Sequence, residues 1–335
     1  MTTPTVFWPA VLGVGFLVAG IITYWRDRRE RSTRGAFSLA AFGPAFVAAS
    51  LAAFAGEHFT LEPTIAQLVP TFLPARLAIA YVVGVAHLAA ALSFVARRYV
   101  RWSSICLAGM FALFVLLMDL PAAIAHPSSR IAWILAARET TFSIGALALF
   151  AIATRQRWPH AARVMATIAR FWTAGVLVFY GVDHLLHPSL TPGVPSETPI
   201  AAWVPLPHGV VALTGALLIA FGIAMLVARS AGAAAARCGE LMTLLTVVLY
   251  VPQFFIARGV GAQVTAINFI FDTLLFAGMM LVISTAIVEN ASPPNALPGD
   301  VTGRGLGTSA AGRSDSGSGD RVMFVHDRPL AAQLA

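Results

Sequence analysis

The stretch VFWPAVLGVGFLVAGIITYW (residues 6–25), followed by RDRRERSTR (26–34), decides the fold. An uncharged run of this length is enough for a helix to cross about 30 Å of hydrocarbon. Its apolar residues are continuous and do not alternate, which excludes a barrel strand. The flank before it, MTTPTVFWPA, carries no positive charge, and the basic cluster comes after the apolar run. That order is the reverse of a cleaved secretory signal. Under the positive-inside rule it places the N-terminus outside and residues 26–35 in the cytoplasm.

The rest of the chain repeats this pattern. Of 335 residues, 58% are hydrophobic and 11% charged, against roughly 25% charged in a soluble domain. Such a chain cannot cover a water-facing surface, so a soluble enzyme is excluded. Apolar segments lie at 6–25, 36–56, 75–96, 103–125, 131–154, 164–185, 205–228, 236–256 and 262–288. The expected fold is all-α: a polytopic membrane protein with nine transmembrane helices.

All 22 basic residues are arginine, and 13 of them fall in the connections 26–35, 97–101, 155–163 and 229–237. The opposite connections hold Arg130 and Arg258, with Arg76 at a helix edge. This asymmetry predicts a cytoplasmic C-terminus and accounts for the +7 charge without nucleic acid, which is not an expected partner. Cys106 and Cys238 form no CxxC motif and read as small packing residues. Residues 290–335 are rich in Gly, Ser, Pro and Asp, and a disordered cytoplasmic tail is expected there, with RVMFVHDRP inside it.

The chain also repeats internally. GEHFTLEP from Gly56 parallels GVDHLLHP from Gly181, aligning Glu57-His58 with Asp183-His184. Further on, Pro74 meets Pro207, Gly84 meets Gly215, Cys106 falls beside Cys238, Pro121 meets Pro252, Glu139 meets Asp272 and Gly145 meets Gly278. Two four-helix units thus follow one extra helix. Each contains an even number of spans, so both face the same way: a parallel repeat, or a pseudo-dimer of four-helix bundles within one chain. The expected division is an N-terminal helix and basic loop (1–35), a first unit (36–158), a second unit (159–289) and the tail (290–335).

The acidic–His pair at the outer end of a first helix, the VP and LP turns, and the stretches ALSFVARR, MDLPAAIAHP and ARETTFSIGALALF together resemble the DoxX-like family of small four-helix membrane proteins. DHLLHPSLTPGVP, WVPLP and TGALLIAFG resemble a second copy, and the likeness covers about 36–288. Some members are associated with membrane redox complexes, including quinone-linked thiosulfate oxidation. The resemblance therefore implies an accessory subunit of membrane redox chemistry, with a quinone or another small apolar molecule as ligand and a redox protein as partner. The Arg-, Ala- and Gly-rich composition suits a bacterial inner membrane.

An ionisable group within a span costs about 2.5–3.5 kcal/mol at the bilayer centre, so it needs a partner or a wet cavity. In the first unit the candidates for ligand binding or proton handling are Glu57, His58, His87, Asp119, Arg138 and Glu139; in the second they are Asp183, His184, Gln253, Asn268 and Asp272. Most fall in the outer half of their spans, and an outward-opening polar pocket in each unit is expected. Arg138 is expected to neutralise Asp119, Glu139 or Glu57, whereas Phe271 occupies the matching place in the second unit. No HxxxH or ExxH spacing occurs, so no metal is expected. A packing network of hydrogen bonds, a non-catalytic scaffold and a proton-coupled transporter stand as alternatives. No catalytic residue is assigned. A reporter fused to the C-terminus is expected to read as cytoplasmic, and a periplasmic reading overturns this topology.

Overall fold

The computed structural model describes residues 3–30 and 38–291; the rest of the basic loop and, from residue 292, the expected tail with its RVMFVHDRP segment lie outside the described residues. Among the described residues there are no strands, and nine helices are long and apolar enough to cross a membrane. This is the architecture of a multi-pass integral membrane protein.

In chain order the elements are α1 (Pro4–Glu30), α2 (Gly43–Thr60), the short α3 (Glu62–Leu68), α4 (Arg76–Ala96), α5 (Val100–Phe114), α6 (Leu120–Ala125), α7 (Arg130–Thr154), α8 (Pro159–Leu186), α9 (Pro207–Leu226), α10 (Ala228–Leu245), α11 (Val251–Ile256) and α12 (Val260–Ala291). Helix α1 continues through Arg26–Glu30, where hydropathy reads a loop. Arg130 likewise opens α7, behind the Ser129 cap, instead of lying in a connection. Pro159 and Pro207 stand in the first turns of α8 and α9, where a missing N–H is harmless. Pro44 occupies the same kind of position in α2, just after a 3-10 turn, and so starts the helix rather than kinking it.

Pro121 and Pro252 alter the helix in a specific way. Each follows a π-helical turn, Val115–Asp119 between α5 and α6 and Thr246–Tyr250 between α10 and α11. A proline has no N–H and its ring clashes with the carbonyl four residues back, so the preceding turn widens by one residue. The two π turns are 131 residues apart in the sequence. The left-handed residues Ala75 and Leu206, which open α4 and α9, are separated by the same interval. That register sets Pro74 against Pro205, two residues from the alignment with Pro207.

Close approaches of small residues fix how the helices run. A Cβ on Gly56 would lie 2.8 Å from the backbone of Pro9, and one on Gly20 would lie 2.6 Å from Ala45, so α1 and α2 are antiparallel. Gly84 abuts His58 on α2, and Gly215 abuts His184 on α8. Helix α12 is the most enclosed span and packs against α2, α7, α8 and α10. Along α7 the pairing is parallel and constant in register. Arg138 meets Asp272 and Arg155 meets Glu289, each pair 134 residues apart, and Gly145 fits against Met279 at the same interval. Helices α7 and α8 run antiparallel, through Arg130–Asp183, Tyr180–Ile134 and Trp172–Thr141. Cys238 is buried, as expected of a packing residue, whereas Cys106 faces outward.

The substitution Gly181→Val, which would press into the carbonyl of Gly215, is expected to destabilise the fold by about 1–3 kcal/mol. Gly175→Ala, with open space around it, is expected to be neutral or to stabilise by about 0.5–1 kcal/mol. Reversible unfolding in mixed micelles measures both.

Candidate functional site

The end of the helical array carrying residues 61–75, 126–129, 187–206 and 257–259 is here called the loop-rich end, and the opposite one the arginine-rich end. Arg138 lies eight residues from the start of α7, roughly 12 Å from the loop-rich end. Its Nη2 donates to Glu139 Oε1 at 3.0 Å and its Nη1 to Asp272 Oδ2 at 3.1 Å. The side chains of Arg138 and Asp272 are 22% and 8% exposed, so this bifurcated pair is largely withdrawn from the surroundings. Asp119, at the end of the first π turn, lies within electrostatic reach of both Arg138 and Glu139. Asn268, one turn before Asp272, donates from Nδ2 to Glu57 Oε2 at 3.1 Å, and Glu57 in turn feels the charge of Asp272.

These bonds give two groups, Arg138–Glu139–Asp272 and Glu57–Asn268, that meet on α12. Arg138 draws a partner from α12, and Glu57 draws Asn268 from the same helix. The physical reason is adjacency: α12 lies against both α2 and α7, so helices far apart in the chain supply each other's partners.

Hydrogen bonding among these side chains is incomplete. Glu57 Oε1, Asp119 Oδ2, Glu139 Oε2 and Arg138 Nε are buried without a hydrogen-bond partner among the described residues. So are both ring nitrogens of His87, a residue only 2% exposed. His87 stands edge-on to His58, with centroids 5.2 Å apart, and is flanked by Phe54 and Phe111. His58 Nδ1 is 2.8 Å from the carbonyl of Phe54. Leaving a polar group buried and unpaired costs about 1–3 kcal/mol, so each of these atoms has unused hydrogen-bonding capacity inside the bundle. Among the described residues no group of three or more metal-ligating side chains occurs.

Asp183 and His184 belong to a separate cluster at the loop-rich end. Arg130 Nη1 donates to both oxygens of Asp183 at 3.0 and 2.8 Å, and its Nη2 donates to the Ser196 carbonyl at 2.6 Å. His184 Nε2 accepts the Gly193 N–H at 2.9 Å, while its Nδ1 lies 2.6 Å from the Tyr180 carbonyl. This geometry requires a neutral imidazole protonated on Nδ1. Tyr250 Oη donates to the Pro192 carbonyl at 2.9 Å. Arg130, His184 and Tyr250 therefore pin the 187–206 connection down onto the helices. Gln253 joins neither cluster; its Oε1 lies 3.4 Å from Trp203 Nε1.

Sequence reasoning missed Arg130, Tyr180 and Tyr250. Tyr180 is buried beside the Arg138 network and donates to the Ile134 carbonyl at 3.2 Å. A signal for Tyr250 was present, since the interval that pairs Pro121 with Pro252 also pairs Asp119 with Tyr250. Arg130 offered none, because an arginine at a span edge reads as topology.

Comparison of the chain with protein-family models, with curated proteins and with solved structures returned no match.

Removing Arg138 leaves Glu139 and Asp272 without their cation. Arg138→Gln is expected to destabilise the fold by about 3–5 kcal/mol. Asp272→Asn is expected to cost less, since Arg138 keeps Glu139. Unfolding in mixed micelles tests the order, and equal, small effects would show that the pair does not form.

Proposed function

We propose that this chain is a DoxX-like membrane protein made of two parallel four-helix repeats, and that its first repeat binds a quinol or a similar small, largely apolar molecule as part of membrane redox chemistry. The observation that carries this reading is the set of unpartnered polar atoms on Glu57, His87, Asp119 and Glu139 inside an otherwise apolar bundle. Carboxylate oxygens accept hydrogen bonds and a neutral imidazole offers one acceptor and one donor, so the complementary ligand carries hydroxyl groups, which both donate and accept, on a flat or slender apolar body. A quinol has that chemistry.

Support for two repeats comes from the paired π turns, the paired left-handed residues before α4 and α9, and the Gly84–His58 and Gly215–His184 approaches. The constant register of α7 on α12 supports a parallel relation between them. The repeats are unequal at the proposed site. In the second, His184 and Tyr250 hold the Pro192–Gly193 turn. In the first, the corresponding His58 and Asp119 hold no such turn among the described residues. The first repeat is thus the one left open for a ligand. The excess of arginine at one end favours a cytoplasmic position for that end in a bacterial inner membrane, which puts the ligand site in the outer half.

The test is binding of decylubiquinol to the full chain in nanodiscs. Saturable binding is expected, weakened at least tenfold by Glu139→Gln and by His87→Leu and unchanged by Gln253→Ala. Absence of saturable binding, or affinity indifferent to Glu139→Gln and His87→Leu, overturns the reading.

A further inference from the structure

A cavity of about 370 Å³ lies at the arginine-rich end, far along the spans from the Arg138 network, between α1, α2, α4, α5, α7 and α12. This falls within the range of roughly 300–1,000 Å³ typical of small-molecule sites. Its wall is apolar, with Ala41, Pro44, Phe94, Leu149, Ile152 and Val282 among the lining residues. Of the three lining residues with hydroxyls, Thr23, Tyr24 and Thr285, the two threonines turn away: Thr23 Oγ1 donates to the Ala19 carbonyl and Thr285 Oγ1 to the Leu281 carbonyl, each on its own helix.

The turn beside it, which reaches the cavity through Arg97 and Val100, has the opposite character. Arg97 lines the cavity and forms an ion pair with Asp27 of α1. Arg98 and Arg101 follow on the same turn with no carboxylate partner among the described residues, and Arg101 lies 4.9 Å over the ring of Trp102. Tyr99 and Trp102 are 77% and 60% exposed, as aromatic residues at headgroup level are. The turn is also strained: Arg97 and Tyr99 both hold left-handed backbone conformations, with φ of 54° and 58°. Non-glycine residues in that region cost about 1–3 kcal/mol and gather at ligand clamps.

A dry slot beneath a basic, aromatic rim matches one kind of occupant. We infer that this cavity seats the glycerol end and one acyl chain of an anionic phospholipid, with Arg97, Arg98 and Arg101 facing its phosphate. The combination of a basic rim and an interhelical slot is the recurring form of headgroup recognition in membranes. Helix α1 supplies one wall through Gly20, Thr23 and Tyr24, so the lipid would also seal α1 to the remaining spans. This site does not depend on the reading of the Arg138 network.

Native mass spectrometry of the full chain in mild detergent tests this, with phosphatidylglycerol, phosphatidylcholine or inorganic phosphate added. One phosphatidylglycerol per chain is expected to be retained, at least fivefold in preference to phosphatidylcholine. Arg97→Gln combined with Arg98→Gln is expected to abolish the preference. Ala41→Trp and Ala153→Trp, at two outward-facing wall positions, are each expected to lower retention of both lipids at least fivefold. Equal retention of the two lipids by the unaltered chain overturns the proposal, as does retention unchanged by all these variants. Displacement of the lipid by millimolar phosphate would show a free-anion site instead.

Discussion

An arginine shared between two carboxylates, among helices that are otherwise apolar, constrains everything around it. Neither Arg138 nor Asp272 can face hydrocarbon alone at acceptable cost, so α12 must lie against α7 in the one register that brings them together. The same register lets Gly145 receive Met279 and sets Arg155 beside Glu289 at the far end. With α12 held there, its neighbours α2, α8 and α10 close around it. Elsewhere the seams are made by residues without bulk, as at Gly56 on Pro9 or Gly215 on His184. In a bilayer, where burial offers helices little net attraction, such close backbone contact is a main source of association.

The two ends of the molecule have different chemistry for physical reasons. At the loop-rich end the spans bring acids, histidines and an arginine inward, and a structured connection covers part of them. At the other end the arginines stay at the rim and the interior is dry. A charged side chain on a long flexible stem can reach the interface from near a helix end, whereas Arg138, well inside its helix, has to find its partners within the bundle.

How much of this could be read from the sequence differs by level. Nine spans were legible because an unbroken apolar run of about 20 residues suits little besides a membrane-crossing helix. Their ends were less so: Arg26–Glu30 continues α1 although its charges look like a loop, since helix formation and hydropathy part company just outside the hydrocarbon. The candidate residues were found as types, because an ionisable group in a span stands out. Their pairing was not legible. Periodicity describes one helix at a time, and the proximity of Asp272 to Arg138, or of Asn268 to Glu57, depends on which helices become neighbours. Pro121 and Pro252 were legible as a matched pair, but the widened turn that carries Asp119 and Tyr250 is a backbone response that composition does not encode.

In the proposed repeat, the place matching Arg138 in the later half of the chain is Phe271, next to Asp272. That half therefore contributes an acid at the centre without a cation of its own, while the earlier half holds Arg138 and Glu139 together. Dependence runs in one direction. Because synthesis proceeds from the N-terminus, the guanidinium is already in the membrane when the last helix arrives. The acid that would be hardest to insert alone is thus the one whose counter-ion is waiting for it.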